Sequence, residues 1–577
     1  MSTTDRVKEY DIAICGGGLA GLTLARQLTM QMPHLSLLVI EGTGSKKQTS
    51  AINVGESTIE ISAHYLADIL ELRSYLEAAQ LPKMGLRFFF GSGKEAFHTR
   101  PEFGTSQPSA VASFQLDRAL LEADLRVLNK DMGIAIIEDG KVEDIRLCVD
   151  AQYHEVVFSS PAPAQKQRIR CRWVIDAMGR RRFLQKKLGV AEPKDRLYSA
   201  AWFRMPGRID VQDLVSAAEP DWHLRVAAKK RYYSTNHLMD NGRWVWLIPL
   251  SSGTTSIGIV THEDFFPFHE YNTYEKASNW LQEYEPALHA LIGASHPIDF
   301  QCLRQYSYSA QRVFSDQRWA CTGDAAVFAD PFISPGIDQI GFANTIITEM
   351  IRRDSEEKLT TNHVDMFNRN FLGFNDITSW IVHNGYPFFG NATVMGAKLV
   401  WDFARGFSIN GPQRFNTIYL DEQKMHALQP FLAQVFALTA RMERLFKQWS
   451  TLSQQRCSFQ FLDYFAVPGM RETYLRNLQS HKTLSELITD HQATLDYLEE
   501  LAQMIFLVAL VDTMPDLLST LPSPLWLNTN GIGLDPTYWE RERLFAPVSA
   551  PRPLPLGSFF SLFGVDKETL LQVVSLT

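Results

Sequence analysis

The sequence predicts an α/β chain built from a strand–helix–strand unit, an antiparallel sheet and a mostly helical C-terminal region. Three observations predict it. Near the N-terminus an apolar run breaks at a glycine cluster and resumes at helical spacing; between about residues 197 and 260 apolar and polar residues alternate with period two; from about residue 351 the pattern is helical and rich in Phe and Trp.

The first unit is residues 10–41, YDIAICGGGLAGLTLARQLTMQMPHLSLLVIE. The apolar run at 12–15 is a strand, Gly16-Gly17-Gly18 a tight turn, and Leu22, Ala25 and Leu28 recur at helical spacing. Gly16 allows the turn, Gly18 lets backbone N–H groups approach a pyrophosphate, and Gly21 lets helix and strand pack closely. The helix N-terminus adds positive partial charge. A second strand at 35–40 then delivers Glu41 where an acidic residue accepts hydrogen bonds from a ribose.

Composition narrows the function. The chain has 577 residues, 45% apolar and 21% charged, with a net charge of -8 and no compensating basic run, which argues against nucleic acid. Its start has no apolar targeting core, and the apolar run at 504–511 is too short to span a bilayer. A cytoplasmic protein with no membrane partner is expected. Six cysteines, Cys15, Cys148, Cys171, Cys302, Cys321 and Cys457, stand singly and read as reduced residues, neither a disulfide frame nor a metal site.

After a polar loop at 42–50, Asn53-Val54-Gly55-Glu56-Ser57-Thr58 leads into a helical pattern running to Leu72. Ser57 or Thr58 caps that helix, either as a plain cap or with free N–H groups facing an anion or a cofactor. Residues 81–90, LPKMGLRFFF, read as a turn entering a strand, because Pro82 disfavours helix before it and aromatics follow. Gly91-Ser92-Gly93-Lys94 lacks the first Gly and the final Ser/Thr of a phosphate loop. At 114–130 a short strand hands over to an amphipathic helix at Arg118, which either reaches a cofactor or forms a surface ion pair. Strands near 152–158 and 168–177 flank a loop at 159–164, and the second ends at Asp176-Ala177-Met178-Gly179.

The alternating block has strands at 197–205, 231–238, 243–249 and 255–260, with Asp240-Asn241-Gly242 as a hairpin signal. Trp244, Trp246 and Ile248 share one face, Val245 and Leu247 the other. The two indoles are either core or a wall between two compartments. At 318–344 a strand ends at Gly323-Asp324, where Asp324 is placed to accept hydrogen bonds from cofactor hydroxyls, and a loop with Pro331, Pro335 and Gly336 opens a helix. Residues 426–452 and 491–510 are the clearest amphipathic helices, and 546–555 is a Pro-rich linker.

Gly16-x-Gly18-x-x-Gly21 with Glu41, the Arg118 segment, the Asp176-Ala177-x-Gly179 turn and Gly323-Asp324 together resemble the flavoprotein monooxygenases over roughly the first 345 residues. Three additions narrow the match. Trp244-Val245-Trp246-Leu247-Ile248-Pro249 fits WxWxIP, residues 328–336 fit FxxPxxSxG, and Lys83 precedes Arg87-Phe88 as an active-site lysine does. The chain is similar to the flavin-dependent halogenases.

That resemblance implies an α/β fold with a Rossmann-type FAD-binding domain (1–195 and 306–360), an antiparallel sheet on the substrate side (196–305) and a helical region (361–577). It implies FAD binding by Gly16, Gly18, Ala20, Gly21, Glu41, Ser57, Arg118, Asp324 and Ile337, and a chloride or bromide site at Gly336 and Ile337. Reduced FAD and oxygen give a flavin hydroperoxide, which oxidises halide to hypohalous acid. Lys83 receives that oxidant by a charge-assisted hydrogen bond or as a chloramine and directs it at an electron-rich carbon. Trp244 and Trp246 keep substrate away from the flavin.

Departures shape the expectation. Tryptophan halogenases carry a Glu where this chain has Ile333, which favours phenolic or pyrrolic substrates, free or on a carrier protein. Pro335, before Gly336, has no N–H to offer an anion. Glu60 replaces a common Pro and is expected to alter only the first helical turn. No second glycine fingerprint for NAD(P)H is visible, so a separate flavin reductase is the expected partner. The competing reading is a flavin-dependent hydroxylase or oxidoreductase that makes no use of halide.

Overall fold

Gly16 and Gly21 set how closely the first helix approaches the first strand. Gly16 sits at φ +116°, where a Cβ would lie 2.2 Å from the Ala177 carbonyl oxygen, and a Cβ on Gly21 would lie 2.0 Å from the Gly16 carbonyl oxygen. In the computed structural model, which describes residues 7–42, 55–148, 150, 152–161, 164–193, 197–227 and 230–575, this contact seats the helix Leu19–Gln31 on the strand Lys8–Cys15. Of the expected polar loop at 42–50 only Gly42 is described, and Asn53-Val54 lie outside the described residues.

The first sheet runs in the order Phe314–Ser315, Trp319–Cys321, Ala164–Asp176, Lys8–Cys15, Leu37–Ile40, Ala135–Ile137. From Trp319–Cys321 to Ala135–Ile137 every pairing is parallel, and the chain is α/β with a Rossmann-type unit, as expected. His154–Pro161 pairs antiparallel with Ala164–Asp176, so these strands run further into the connection than the loop expected at 159–164. The carboxyl ends of three strands meet. The Ala177 amide donates to the Cys15 carbonyl at 2.7 Å and the Thr322 amide to the Asp176 carbonyl at 3.0 Å, so the turns at 16–18, 177–179 and 322–324 emerge side by side.

The second sheet runs Asp299–Leu303, Tyr198–Pro206, Thr254–His262, Arg243–Pro249, Thr235–Asp240, Leu86–Phe90, Glu102–Gly104, Phe461–Asp463. The antiparallel sheet expected over 196–305 supplies five of these strands. Three come from outside that span: Leu86–Phe90 pairs parallel with Thr235–Asp240 and antiparallel with Glu102–Gly104, and Phe461–Asp463 pairs parallel with Glu102–Gly104. A buried ion cluster binds the graft. Glu102 accepts from Arg87 and, at 2.8 and 2.9 Å, from Nε and Nη2 of Arg231, all three side chains being fully buried. A lone charge there would be costly, whereas two guanidinium forks satisfy the carboxylate. Reaching Glu102 requires a 3-10 turn at Arg231–Tyr233, which is why the strand expected from 231 begins at Thr235.

The period-two reading sorts the faces. Trp244, Trp246 and Ile248 pack with the C-terminal helices, Val245 and Leu247 with the helices Tyr274–Tyr284 and Pro286–Ile292. The C-terminal region is built on Thr361–Gly385, Ala392–Phe415, Glu422–Leu452 and Leu484–Thr513, the last buried on all sides from Leu501 to Leu510. Among the described residues no helix is long and apolar enough to cross a membrane.

Gly21→Ala is expected to lower unfolding stability by about 3 kcal/mol or more, since overpacking a rigid backbone contact cannot be relieved by a rotamer change. Thermal denaturation of the variant checks this, and an unchanged Tm would contradict the packing role.

Candidate active site

The three converging turns open on a cavity of about 860 Å³. Gly16, Gly18, Ala20, Glu41, Ser57, Arg118, Trp244, Trp246, Asp324, Gly336 and Ile337 all line it. Gly21 lies behind it, in the packing contact already described. The helix Leu19–Gln31 starts at Gly18 with no side-chain cap and no acid in its first turn, so its first amides are available to an anion. Side-chain space is open at the rim, since a Cβ on Gly179 or Gly336 would meet nothing within 4 Å. A large concave site, uncapped amides and an acid one strand away fit a dinucleotide such as FAD.

The polar groups of this cavity are pre-set. Glu41 accepts the Gly17 amide at 2.5 Å. Arg118 pairs with Glu122 at 2.6 Å. Asp324 follows the strand Trp319–Cys321, and burial pushes its carboxyl up to about 6, with Arg118 and Arg180 opposing. Burial also raises Glu56 to about 7, against a hydrogen bond from Ser256. Sequence reasoning did not single out Glu56, Trp202 or His237, which line the same wall. His237 stacks on Phe88 at 4.6 Å, donates from Nδ1 to the Arg87 carbonyl at 3.1 Å, and is pushed down to about 3 by burial, so it is neutral. Its place on a parallel pairing with Leu86–Phe90 left no local signal.

The indoles are clamped. Trp244 donates to the Tyr386 hydroxyl at 2.9 Å, and Tyr386 and Tyr306 both donate to Asp330, at 2.7 and 2.9 Å. Trp246 donates to Ser256 at 3.2 Å and lies over Gly258, where a Cβ would meet its ring at 2.1 Å.

A second cavity, of about 100 Å³, lies on the other side of the segment 332–338 and is lined by Lys83, Glu60, Phe332, Ile333, Pro335, Asp338, Tyr464 and residues of Ala392–Phe415. Pro335 lines both cavities. Trp244 and Trp246 face only the larger one, with Phe332 packed against Trp244 at 5.4 Å on the side of the smaller. The wall therefore includes Phe332 and Pro335 as well as the indoles.

Lys83 is 6% exposed. The short strand Leu81–Pro82 pairs with Phe114–Gln115, and the Lys83 amide donates to the Ser113 carbonyl at 2.7 Å, which turns the side chain inward. Its Nζ donates to Ser57 Oγ at 2.7 Å and to the Thr58 carbonyl at 2.6 Å. Ser57 Oγ is also 2.8 Å from Thr235 Oγ1. The lysine in the small cavity thus touches a hydroxyl that lines the large one. Burial drives Lys83 down to about 7, and Glu60 partly restores it. Two expectations change here. Neither Ser57 nor Thr58 caps the following helix, whose N-cap is Ile59, because both are held by Lys83 and by the strand at 114–115. Glu60 does more than alter a helical turn, for its buried carboxyl lines the small cavity with Lys83 and is raised by burial. That helix is also short, Glu60–His64, with a π-turn at Tyr65–Ile69 before Leu72.

At the Gly336–Ser355 helix, Ser334 takes a left-handed conformation (φ 56°) and Pro335 is the N-cap, leaving the first amides at Gly336 and Ile337 beside the large cavity. Among the described residues there is no His/Cys/Asp/Glu cluster able to hold a metal ion.

A family model described as FAD binding domain matches residues 9–338. The flavin-dependent halogenase chlA of Dictyostelium discoideum is 26% identical over 445 residues, covering 72% of each chain. A 1H-pyrrole-2-carbonyl-[peptidyl-carrier protein] chlorinase of Pseudomonas fluorescens is 26% identical over 387 residues, covering 63% of this chain and 81% of its own. Among solved structures, halogenase PltM in complex with phloroglucinol and FAD superimposes with a TM-score of 0.60 at 16% identity, over 85% of this chain and 96% of that one, a likeness of fold. The resemblance to flavin-dependent halogenases expected from the motifs is borne out by these matches.

The depressed Lys83 value has a signed consequence. Between about 7 in the folded chain and about 10.4 in a free lysine, the unfolded chain binds the extra proton. Lys83 therefore costs stability most fully below pH 7, and the cost fades as pH rises toward 10. Relative to Lys83→Met, the wild type is expected to gain about 1 kcal/mol per pH unit between pH 7 and 10. Paired melting curves across that range check it, and a difference independent of pH would contradict a buried, depressed amine.

Proposed function

This chain belongs to the FAD-binding-domain family, and from that premise we propose that it is an FADH2- and O2-dependent halogenase acting on an electron-rich phenolic or pyrrolic ring, free or carrier-bound. The observation that carries the reading is the Lys83–Ser57 hydrogen bond, which joins the small cavity to the wall of the large one.

The large cavity binds FAD, with the turn at Gly16–Gly18 and the Leu19–Gln31 amides at the pyrophosphate, and Ala20, Glu41, Ser57, Arg118, Asp324 and Ile337 around the remainder. When reduced and bound, FAD supplies the activation of oxygen at which halide is oxidised to hypohalous acid. Chloride or bromide is held at the Gly336 and Ile337 amides, without help from Pro335. Lys83 receives the oxidant in the small cavity. An amine balanced near neutrality both donates a hydrogen bond as ammonium and accepts halogen as a free base. Ser57 and the Thr58 carbonyl fix its position, while Trp244, Phe332 and Pro335 exclude the acceptor from the ring of the cofactor. A separate NAD(P)H-dependent flavin reductase supplies FADH2.

Lys83→Ala is expected to cut halogenation of a phenol and pyrrole panel, assayed with FADH2, oxygen and chloride or bromide, by about 100-fold or more while FAD is retained. Unchanged product would sink the lysine assignment. The lack of an N–H at Pro335 favours one second reading, a hydroxylase, and product gaining oxygen but no halogen at high halide would select it.

A further inference from the structure

One face of the helix Ala392–Phe415 presents Lys398, Asp402 and Arg405, spaced i, i+4, i+7, to the small cavity. Their states differ. Lys398 is committed, paired with Glu443 and, at 3.1 Å, with Asp402. Arg405 is 4% exposed, and among the described residues no hydrogen-bond or ion-pair partner is found for its guanidinium; its Nε is buried without an acceptor. The Oδ1 of Asp402 is likewise buried without a donor. Asp402 and Glu443 balance the Arg405 charge through space, while its Nε–H remains unsatisfied. An arginine cannot relieve this by losing its proton, and a buried donor without an acceptor is destabilising. The adjoining Gly406 leaves the space beside it open, since a Cβ there would meet nothing within 4 Å.

We propose that Arg405 anchors the carboxylate of a single-ring hydroxy-aromatic acid, with Asp402 Oδ1 accepting from a ring hydroxyl. A carboxylate offers two parallel oxygens, the arrangement that a guanidinium fork binds best. A cavity of about 100 Å³, smaller than the 150 Å³ apolar cavity known to hold benzene, has no room for a second ring. The proposal rests on the reading that this cavity receives the halogen acceptor, and it specifies the class of that acceptor. Arg405 acts in binding and orientation; it does not take part in the transfer of halogen.

The test uses the full-length FAD-loaded protein and three probes: resorcinol, 2,4-dihydroxybenzamide and 2,4-dihydroxybenzoate, titrated calorimetrically. The wild type is expected to bind the acid about 10- to 100-fold more tightly than either neutral probe, Arg405→Met to lose that preference while keeping its affinity for resorcinol, and Arg405→Lys to keep part of it. Equal affinity of the wild type for acid and amide, or no binding of the acid at millimolar concentration, overturns the proposal whether or not the variants fold. Lys83→Ala separates the two claims: if it halogenates normally while the wild type retains its preference for the acid, the lysine mechanism fails and the Arg405 anchor stands.

Discussion

A thin partition between two unequal cavities is the constraint on which the rest of this molecule depends. Pro335 touches both spaces, Phe332 backs it, and Ser57 meets Lys83 across it. Such a wall must be rigid, because a displacement of about 1 Å would misplace any group meant to act across it. Rigidity comes from both sides. The turn residues before Gly336 are held by Asp330, whose carboxylate accepts from Tyr306, Tyr386 and the Phe332 amide. The Lys83 segment is held by main-chain bonds to Ser113 and Tyr233 and, one strand further, by Glu102 between two arginines.

Fold class and the glycine turn were legible because they rest on local spacing. A strand, a turn that needs Gly16 at positive φ and a helix at period 3.6 leave a pattern within thirty residues, and the alternation at 244–248 correctly sorted its two faces. What was not legible depends on partners distant in sequence. Nothing near Leu86–Phe90 indicates that it joins Thr235–Asp240 in parallel, and nothing near Arg231 indicates that Glu102 will draw it out of a strand.

The candidate site divides the same way. Gly16, Glu41, Arg118, Asp324 and Gly336 sit on turns that the sequence located, and the sheet brings those turns to one cavity. His237, Trp202 and Arg405 carried no motif, and Glu60 stood out only as a departure from one. Each matters through its neighbours: Glu60 through Lys83, His237 through Phe88 and Arg87, Arg405 through the acceptors it lacks. The sequence marked the region beyond 351 only as helical, and the tertiary structure shows that part of one face of Ala392–Phe415 borders open space.

Gly258 ties together the histories of two positions. Because the six-membered ring of Trp246 occupies the volume that any side chain at 258 would need, 258 cannot be enlarged while 246 keeps its indole. A lineage that enlarges 258 must first shrink 246, and doing so strips the large-cavity side of the partition of one of its indoles. Efforts to enlarge 258 by a single substitution therefore meet an occupied volume, and the exchange at 246 has to come before or with it.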